Sequence, residues 1–318
     1  MTNSELPRTV CIREVGPREG FQILAKVTPI EQRLKLIEAL AHADVRQIEV
    51  AAFVRVDKVP QMADAEALVA ALPQSSSVEY SALYLNTKGF ERAERTGRLC
   101  NKGWLYSSPS NTFLQANNNT TIEQSIASVP EWIRAFKAHG KRVHGLMIST
   151  AFGCELEGPV APSAVQALAH RFVAACAAHG EQLAELSLAD TVGRGTPNSI
   201  RECIALLRPL GIPISLHLHD TWGLGLSNVY AALLEGVSIF ESSIAGMGGC
   251  PFTPGAAGNV ATEDIVYLCH SLGIETGIDF ERLCDAAELA ELIVGAPLPG
   301  RVYRARSAER AQRAVKIL

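Results

Sequence analysis

The 318-residue sequence predicts a (β/α)8 barrel formed by a single domain. Eight short apolar segments, each typical of a buried strand, alternate with segments of helical periodicity. Such alternation is typical of parallel strands joined by right-handed crossovers, and the chain length suits closure into a barrel. Hydrophobic residues make up 47% and charged residues 19% of the chain, so a large core can form.

Each predicted strand is followed by a predicted helix. The strands cover about 10–16, 47–54, 79–85, 103–108, 142–150, 185–190, 214–220 and 239–245. The helices cover about 28–45, 61–72, 87–97, 121–139, 162–179, 196–211, 223–236 and 262–272. Two of them open on a threonine cap followed by proline, at Thr28 and at Thr196. We expect the barrel to span about 9–275, and a helical extension with a basic tail to span about 276–318.

Composition argues against several classes of function. The net charge is −4 and no cluster of Lys and Arg stands out, so a nucleic-acid partner is not expected. The sequence has no run of 18 apolar residues and no charged-then-apolar leader, so we expect a cytoplasmic protein without a membrane segment. The eight cysteines are scattered without a CxxC pair, which favours reduced thiols over a disulfide framework.

Polar residues occur where barrel enzymes place their chemistry, at the C-terminal ends of the strands. The first strand ends in EVGPREG, the sixth in SLADTVG and the seventh in HLHD. The polar residues at these ends and on the second strand are Glu14, Arg18, Glu19, Glu49, Ser187, Asp190, His217, His219 and Asp220. Arg18 and Glu19 could instead form a surface ion pair in the first loop.

The seventh strand reads ISLHLHD and predicts a metal site. Side chains at i and i+2 of a strand share a face, so His217 and His219 point to the same side. Leu216 and Leu218 suit the helix side, which leaves both imidazoles inside the barrel. Two imidazoles about 7 Å apart along a strand, with oxygen ligands, can hold Mg²⁺, Mn²⁺ or Zn²⁺. A single histidine would more often be a core residue, but the pair at this end favours a metal.

The glycine-rich segment 246–249 lacks the spacing of phosphate-binding loops, so nucleotide binding is not expected. We expect a mobile lid instead, because glycines supply hinge freedom and Cys250-Pro251 follows them.

Five ordered stretches together resemble the 3-hydroxy-3-methylglutaryl-CoA lyase family of metal-dependent barrels. They are EVGPREGFQ, IEVAAFV with VPQMAD, LADTVGRGTP, HLHDTWG and AGMGGCPFTPGAAGNVATEDIVY, and they span about residues 10–270.

The resemblance implies a set of roles. The cation would be Mg²⁺ or Mn²⁺, with Glu19, His217, His219 and Asn259 as ligands. Arg18 would stabilise an enolate, Cys250 would donate a proton from the lid, and Asp190 or a neighbouring histidine such as His217 would act as the base. Substrate-binding or supporting residues would be Glu14, Gln22, Glu49, Ser187 and Glu263.

The implied reaction is cleavage of 3-hydroxy-3-methylglutaryl-CoA to acetyl-CoA and acetoacetate. The partner is then an acyl-CoA thioester, and we expect a homodimer or higher homo-oligomer.

Two departures from the family pattern keep alternatives open. The family's first motif normally reads Arg-Asp, whereas this chain has Arg18-Glu19. Ala51 and Ala52 stand where the family tends to have hydroxyl residues. A related lyase for citramalyl-CoA, a Claisen-type acyltransferase and a non-catalytic binding protein are therefore the competing interpretations.

Overall fold

The computed structural model of the chain describes residues 6–74, 77–249 and 257–317. It contains the eight predicted parallel strands, which confirms the barrel architecture. The strands are β1 (Cys11–Glu14), β2 (Gln47–Phe53), β3 (Glu79–Tyr84), β4 (Gly103–Ser107), β5 (Val143–Ile148), β6 (Glu185–Ala189), β7 (Ile214–His217) and β8 (Ile239–Ser242).

The helices surround the strands. They are α1 (Gly16–Gln22), α2 (Ile30–His42), α3 (Ala65–Ala71), α4 (Thr87–Glu94), α5 (Asn111–Asn118), α6 (Ile122–Ala127), α7 (Val129–Ala138), α8 (Pro162–Ala177), α9 (Pro197–Leu207), α10 (Gly225–Leu234), α11 (Thr262–Ser271), α12 (Phe280–Val294) and α13 (Val302–Ile317). Their buried faces carry the apolar residues, such as Leu36, Ile37 and Leu40 on α2.

The sheet curls so that β1 pairs with β8, and the strand order is β3-β2-β1-β8-β7-β6-β5-β4. The seam between β3 and β4 is joined mainly by side chains instead of a ladder. The Asn101 side chain accepts a hydrogen bond from Ala82 N at 2.9 Å. The Tyr84 hydroxyl accepts one from Trp104 N at 2.8 Å and donates to Lys102 O at 2.5 Å.

The strand ladders bring three polar residues side by side inside the barrel. His217 on β7 is in register with Glu241 on β8, and Glu241 is in register with Arg13 on β1. The neighbours of these residues in sequence, Leu216 and Phe240, are fully buried on the opposite side of their strands. The two-residue period of a strand therefore separates an apolar outer layer from a polar interior.

Several predicted boundaries were wrong for identifiable reasons. Residues 16–22 form α1, not a loop, and 111–118 form α5. The predicted helix at 121–139 is two helices that meet at Ser128, just before Pro130. The predicted seventh strand ends at His217, and His219 continues as an isolated bridge to Asn259.

The two threonine-proline signals had different outcomes. Thr196 caps α9 with a capping box, in which its side chain accepts from Ser199 N. Thr28 does not cap α2, because Pro29 occupies the N-cap position and the helix begins at Ile30. Both threonines precede a proline and lie outside their helix, and the two sites differ at the proline, because Pro29 has an extended ψ of 142° whereas Pro197 is the first helical residue.

The C-terminal extension packs on the barrel. Helix α12 lies against α2 and against the turn that follows β8. The predicted basic tail is instead the helix α13, and Asp264 accepts hydrogen bonds from Val302 N and Arg301 N at its start.

None of the helices in the described ranges has the length and apolar character required to cross a bilayer. The seven cysteines within these ranges are free thiols.

We predict that Tyr84→Phe destabilises the barrel at the β3–β4 seam. The change removes both hydrogen bonds of the Tyr84 hydroxyl, to Trp104 N and Lys102 O, and leaves these two groups only their 2.9 Å bond to each other, which costs roughly 1–3 kcal/mol of the free energy of unfolding. Urea denaturation measures the loss, and Tyr230→Phe, on an exposed tyrosine, is the matched control. Equal midpoints for the two variants would show that this seam does not need the hydroxyl.

Candidate metal centre and active site

Glu19, His217 and His219 converge at the C-terminal end of the barrel. The Nε2 atoms of the two histidines lie 3.2 Å apart. Glu19 Oε2 lies 3.8 Å from His217 Nε2, and Glu19 Oε1 lies 3.5 Å from His219 Nε2. One ligand atom from each residue therefore faces a common point, as three ligands of one ion would.

The structure fixes which nitrogen of His217 faces this point. His217 Nδ1 lies 3.0 Å from Glu241 Oε2, so its N–H donates to that carboxylate. Nε2 then presents a lone pair toward His219 and Glu19. A carboxylate that accepts from the far nitrogen is the usual partner of a metal-bound histidine.

Asn259 supplies a further oxygen near the two imidazoles. Its backbone bridges to His219, and its Nδ2 donates to Met247 O at 3.1 Å. This bond leaves Oδ1 buried without a partner among the described residues. A methyl group placed on Gly248 would lie 2.6 Å from Asn259 Nδ2 and 3.6 Å from Glu19 Cγ, so these two side chains flank one glycine.

These side chains fit a divalent cation. Two ligands about 2.1 Å from one ion lie about 3.0 Å apart at a right angle, close to the 3.2 Å between the imidazole nitrogens. Two imidazoles with carboxylate and amide oxygens suit Mg²⁺, Mn²⁺ or Zn²⁺. Two observations indicate a bound cation here. Asn259 Oδ1 is buried without a hydrogen-bond partner among the described residues, and the Nε2 lone pairs of both histidines face Glu19.

Arg18 links the triad to Glu49. Its Nε donates to Glu49 Oε1 at 2.5 Å, and its Nη2 lies 3.3 Å from Glu19 Oε2. Arg18 and Glu19 both lie on α1, the helix that follows β1 directly. The interpretation of Arg18 and Glu19 as a surface pair is wrong, because their side chains are only 11% and 14% exposed.

Charge explains the ionisation of the cluster. Burial disfavours an ionised Glu19, yet Arg18 and His217 outweigh it and hold the pKa of that carboxyl well below its usual range. Burial alone would lower the pKa of His217, but Glu19 and Glu241 reverse this and raise it. Burial lowers the pKa of His219, which favours the neutral form that binds a metal.

The formal charges of the cluster also suit a divalent ion. With neutral imidazoles, Arg18 and the three carboxylates of Glu19, Glu49 and Glu241 carry a net charge of −2. An ion of charge +2 would neutralise this buried group, whereas a buried excess of negative charge is costly.

Two carboxylates support the segment that follows β8. Glu14 accepts hydrogen bonds from Gly16 N, Ile244 N and Thr262 Oγ1, and burial raises its pKa to about 7. Glu263 accepts from Ala245 N at 2.9 Å, and burial raises its pKa to about 8. Ala245 has a φ of 54°, a strained value for a residue other than glycine, and Glu263 holds it there.

Known proteins share this sequence pattern. The model of the HMGL-like family matches residues 9–290. A hydroxymethylglutaryl-CoA lyase from Pseudomonas mevalonii is 40% identical over 279 residues, which cover 87% of this chain and 89% of that protein. The chain belongs to the HMGL-like family.

Solved structures agree with this assignment. The hydroxymethylglutaryl-CoA lyase of Pseudomonas aeruginosa superposes with a TM-score of 0.86 at 36% identity, covering 96% of this chain and 99% of that one. An HMG-CoA lyase from Acinetobacter baumannii, solved with coenzyme A and 3-methylmalate, has a TM-score of 0.84 at 31% identity. This superposition covers 94% of this chain and 95% of that one.

Several of the predicted site residues of this HMGL-like chain carry an unpaired atom. A buried polar atom without a hydrogen-bond partner in the described ranges occurs on Gln22, Ser187, Asp190, His219, Asn259 and Glu263. The same feature occurs outside the predicted site, on residues such as Arg33 and Tyr80, so it indicates a ligand position at His219 and Asn259, which adjoin the converging imidazole nitrogens.

Asp190 is placed at the end of β6, where it also shapes the following loop. Its Oδ2 accepts from Gly195 N at 2.9 Å, and its Oδ1 is the unpaired atom. Burial raises its pKa to about 6, which is near the working range of a general base.

The predicted lid is described only at its base. Gly248 has a φ of 107°, and a methyl group on Gly258 would lie 2.5 Å from the Gly248 carbonyl carbon. Two glycines therefore let the chain before and after the lid approach closely. Cys250, the predicted proton donor, lies outside the described residues.

Sequence reasoning missed Glu241 and Tyr106. Both line a cavity of about 70 Å³ inside the barrel, which also contacts Glu49, Gln47 and Arg13. Glu241 gave the same signal as the histidines, since it is a charged residue inside the apolar strand IFES.

We predict that Glu19→Ala weakens Mn²⁺ binding at least tenfold. The change removes the charged ligand that faces both imidazoles, and even outer partners of a metal are worth roughly 10- to 100-fold in affinity. Electron paramagnetic resonance of free Mn²⁺ gives the affinity. Glu31→Ala, on the surface of α2, is the control, and a Glu19→Ala variant that binds as tightly as this control would exclude Glu19 as a ligand.

We predict that Glu263→Gln changes the pH dependence of stability. The folded pKa of about 8 exceeds the ordinary value of 4.5, so the folded state holds the proton. This contribution to the free energy of unfolding is fully present below about pH 4.5 and is lost as the pH rises through 8. The decline from pH 5 to pH 9 should be roughly 1–3 kcal/mol smaller in Glu263→Gln than in the parent chain.

Urea unfolding across this pH range measures the decline. Glu31→Gln, an exposed acid on α2, should follow the parent curve. Parallel curves for the parent chain and Glu263→Gln would contradict a proton on Glu263.

Proposed function

We propose that this chain cleaves 3-hydroxy-3-methylglutaryl-CoA to acetyl-CoA and acetoacetate in a metal-assisted retro-Claisen reaction. The observation that carries the proposal is the convergence of two imidazole nitrogens 3.2 Å apart with Glu19, beside the buried Arg18. The relatives support it, since the Pseudomonas mevalonii protein is named for this activity and the Acinetobacter baumannii structure contains coenzyme A.

The cation would be Mg²⁺ or Mn²⁺, held by Glu19, His217, His219 and Asn259. When bound, it would act as a Lewis acid on the substrate's hydroxyl and neighbouring carbonyl oxygens. The roles of the chain's own residues follow from their positions.

Arg18 stabilises the charge that develops on the thioester. Its Nε and Nη2 are engaged by Glu49 and Glu19, which fix the plane of the guanidinium. Nη1 is then the donor for the thioester oxygen, which becomes negative as the enolate forms. Burial strengthens this interaction, because the site excludes most water.

Proton transfer requires a base and an acid. Asp190 takes the proton from the tertiary hydroxyl, because Glu241 and the cation would engage both ring nitrogens of His217. The bond between the hydroxyl carbon and the thioester's α-carbon then breaks, and acetoacetate leaves. The enolate of acetyl-CoA then takes a proton on carbon, and Cys250 on the lid is the proposed donor. The cytoplasmic location and the homo-oligomeric state stay predictions from the sequence.

Purified protein with Mg²⁺ or Mn²⁺ should release acetyl-CoA and acetoacetate from 3-hydroxy-3-methylglutaryl-CoA, and chelation with EDTA should abolish the release. Coupled assays for both products measure the reaction. Citramalyl-CoA is the comparison substrate, because pyruvate from it alone would assign the chain to the competing lyase. The absence of any cleavage in the presence of bound metal would favour a binding protein.

We predict that Arg18→Met lowers kcat about 10²- to 10³-fold, the usual cost of removing one donor to a developing oxyanion. Methionine keeps much of the length while removing the positive charge. The exposed Arg55→Met is the matched control and should leave kcat unchanged. Comparable kcat values for the two variants would remove Arg18 from the reaction.

A further inference from the structure

Glu241 stands out because it is a buried carboxylate that no role in the reaction uses. It lies inside the barrel on β8, in register with His217 on one side and Arg13 on the other. Its Oε2 lies 3.0 Å from His217 Nδ1. Both side chains are about nine-tenths buried, so water has little access to replace either partner.

Arg13, the other register neighbour of Glu241, donates its hydrogen bonds to other residues. The Arg13 guanidinium donates to both carboxylate oxygens of Glu185 at 2.6 and 2.8 Å, and its Nε donates to Gln47 at 3.0 Å. These bonds direct Arg13 toward β6 and β2, away from its register partner. The Glu241 carboxylate is therefore left to His217.

The two imidazoles are held in different ways. His219 is held through its backbone, which bridges to Asn259, and its Nδ1 has no hydrogen-bond partner in the described ranges. The His217 ring is instead held by the hydrogen bond from its Nδ1–H to the Glu241 carboxylate. A neutral histidine whose Nδ1–H is bonded to a carboxylate must present Nε2 as a lone pair.

We propose that Glu241 is a positioning residue for the metal centre. It fixes the tautomer and the ring orientation of His217, so that Nε2 faces the point shared with His219 and Glu19. This inference rests on the metal site of the proposed function, but it does not depend on which thioester is cleaved.

Two variants separate this role from charge and from packing. Glu241→Leu keeps most of the volume and removes the acceptor. Glu241→Gln removes the charge and keeps an amide oxygen that can accept from Nδ1–H. Positioning predicts that Glu241→Leu weakens Mn²⁺ affinity roughly 10- to 100-fold while Glu241→Gln stays within about threefold of the parent chain.

The matched control is Glu79→Gln. Glu79 lines the same interior cavity but sits at the start of β3, where it accepts a hydrogen bond from Gln47 at 3.1 Å. The Mn²⁺ affinity of this variant should equal that of the parent chain. Electron paramagnetic resonance of free Mn²⁺ gives all four affinities without any substrate.

A second readout follows the tautomer directly. In metal-free protein labelled with ¹⁵N-histidine, at a pH high enough for the His217 ring to be neutral, the His217 resonances should report the Nδ1–H form in the parent chain and in Glu241→Gln. Glu241→Leu should show a mixture of the two tautomers. The parent chain alone tests the proposal if Glu241→Leu does not fold. An Nδ1–H tautomer of His217 supports positioning by Glu241, and an Nε2–H tautomer overturns it.

Equal losses of affinity in Glu241→Leu and Glu241→Gln would assign Glu241 to charge balance and overturn positioning. Unchanged affinity in a folded Glu241→Leu variant would do the same. If the parent chain binds Mn²⁺ with the expected variant pattern yet cleaves no 3-hydroxy-3-methylglutaryl-CoA, the proposed function fails and the positioning role stands.

Discussion

The parallel ladders on both sides of β7 determine the site. β6 and β8 fix the position of His217 by pairing with it, and the two-residue period of the strand sends His219 to the same side. The ladder then ends, and His219 pairs with Asn259, which follows the glycine-rich segment after β8. The C-terminal end of β7 therefore brings together the two imidazoles and the chain segment that returns at Asn259.

Electrostatic balance is the second constraint on this arrangement. Glu19 and Glu49 both pair with the guanidinium of Arg18, Glu241 pairs with His217, and all of these side chains are largely buried. Such a group is stable only if its charges are paired, which is why Arg18 bonds to two glutamates, and a divalent cation would complete the set. The same ion pairs fix the orientation of the Arg18 guanidinium, so Glu19 and Glu49 both balance its charge and position it.

Buried acids hold the segment after β8 in its strained form. Glu14 and Glu263 bind backbone N–H groups of Ile244 and Ala245, and Gly300 of the C-terminal extension donates to Ala245 O at 2.9 Å. Residues far apart in the sequence thus support one short turn. The extension that follows the barrel is therefore connected to the turn after β8 as well as to the outer helices.

The sequence alone determined the barrel, because eight alternations of apolar and helical segments admit few other packings, and it determined the histidine pair, because a strand has a fixed period of two. It also placed the polar residues at one end of the barrel. The tertiary structure decided the rest. Nothing local distinguishes Thr28 from Thr196 as a cap, or shows that Arg18 and Glu19 lie on the buried helix α1. The pairing of Glu241 with His217 arises from strand register, which links residues 24 positions apart and is set only when the sheet closes.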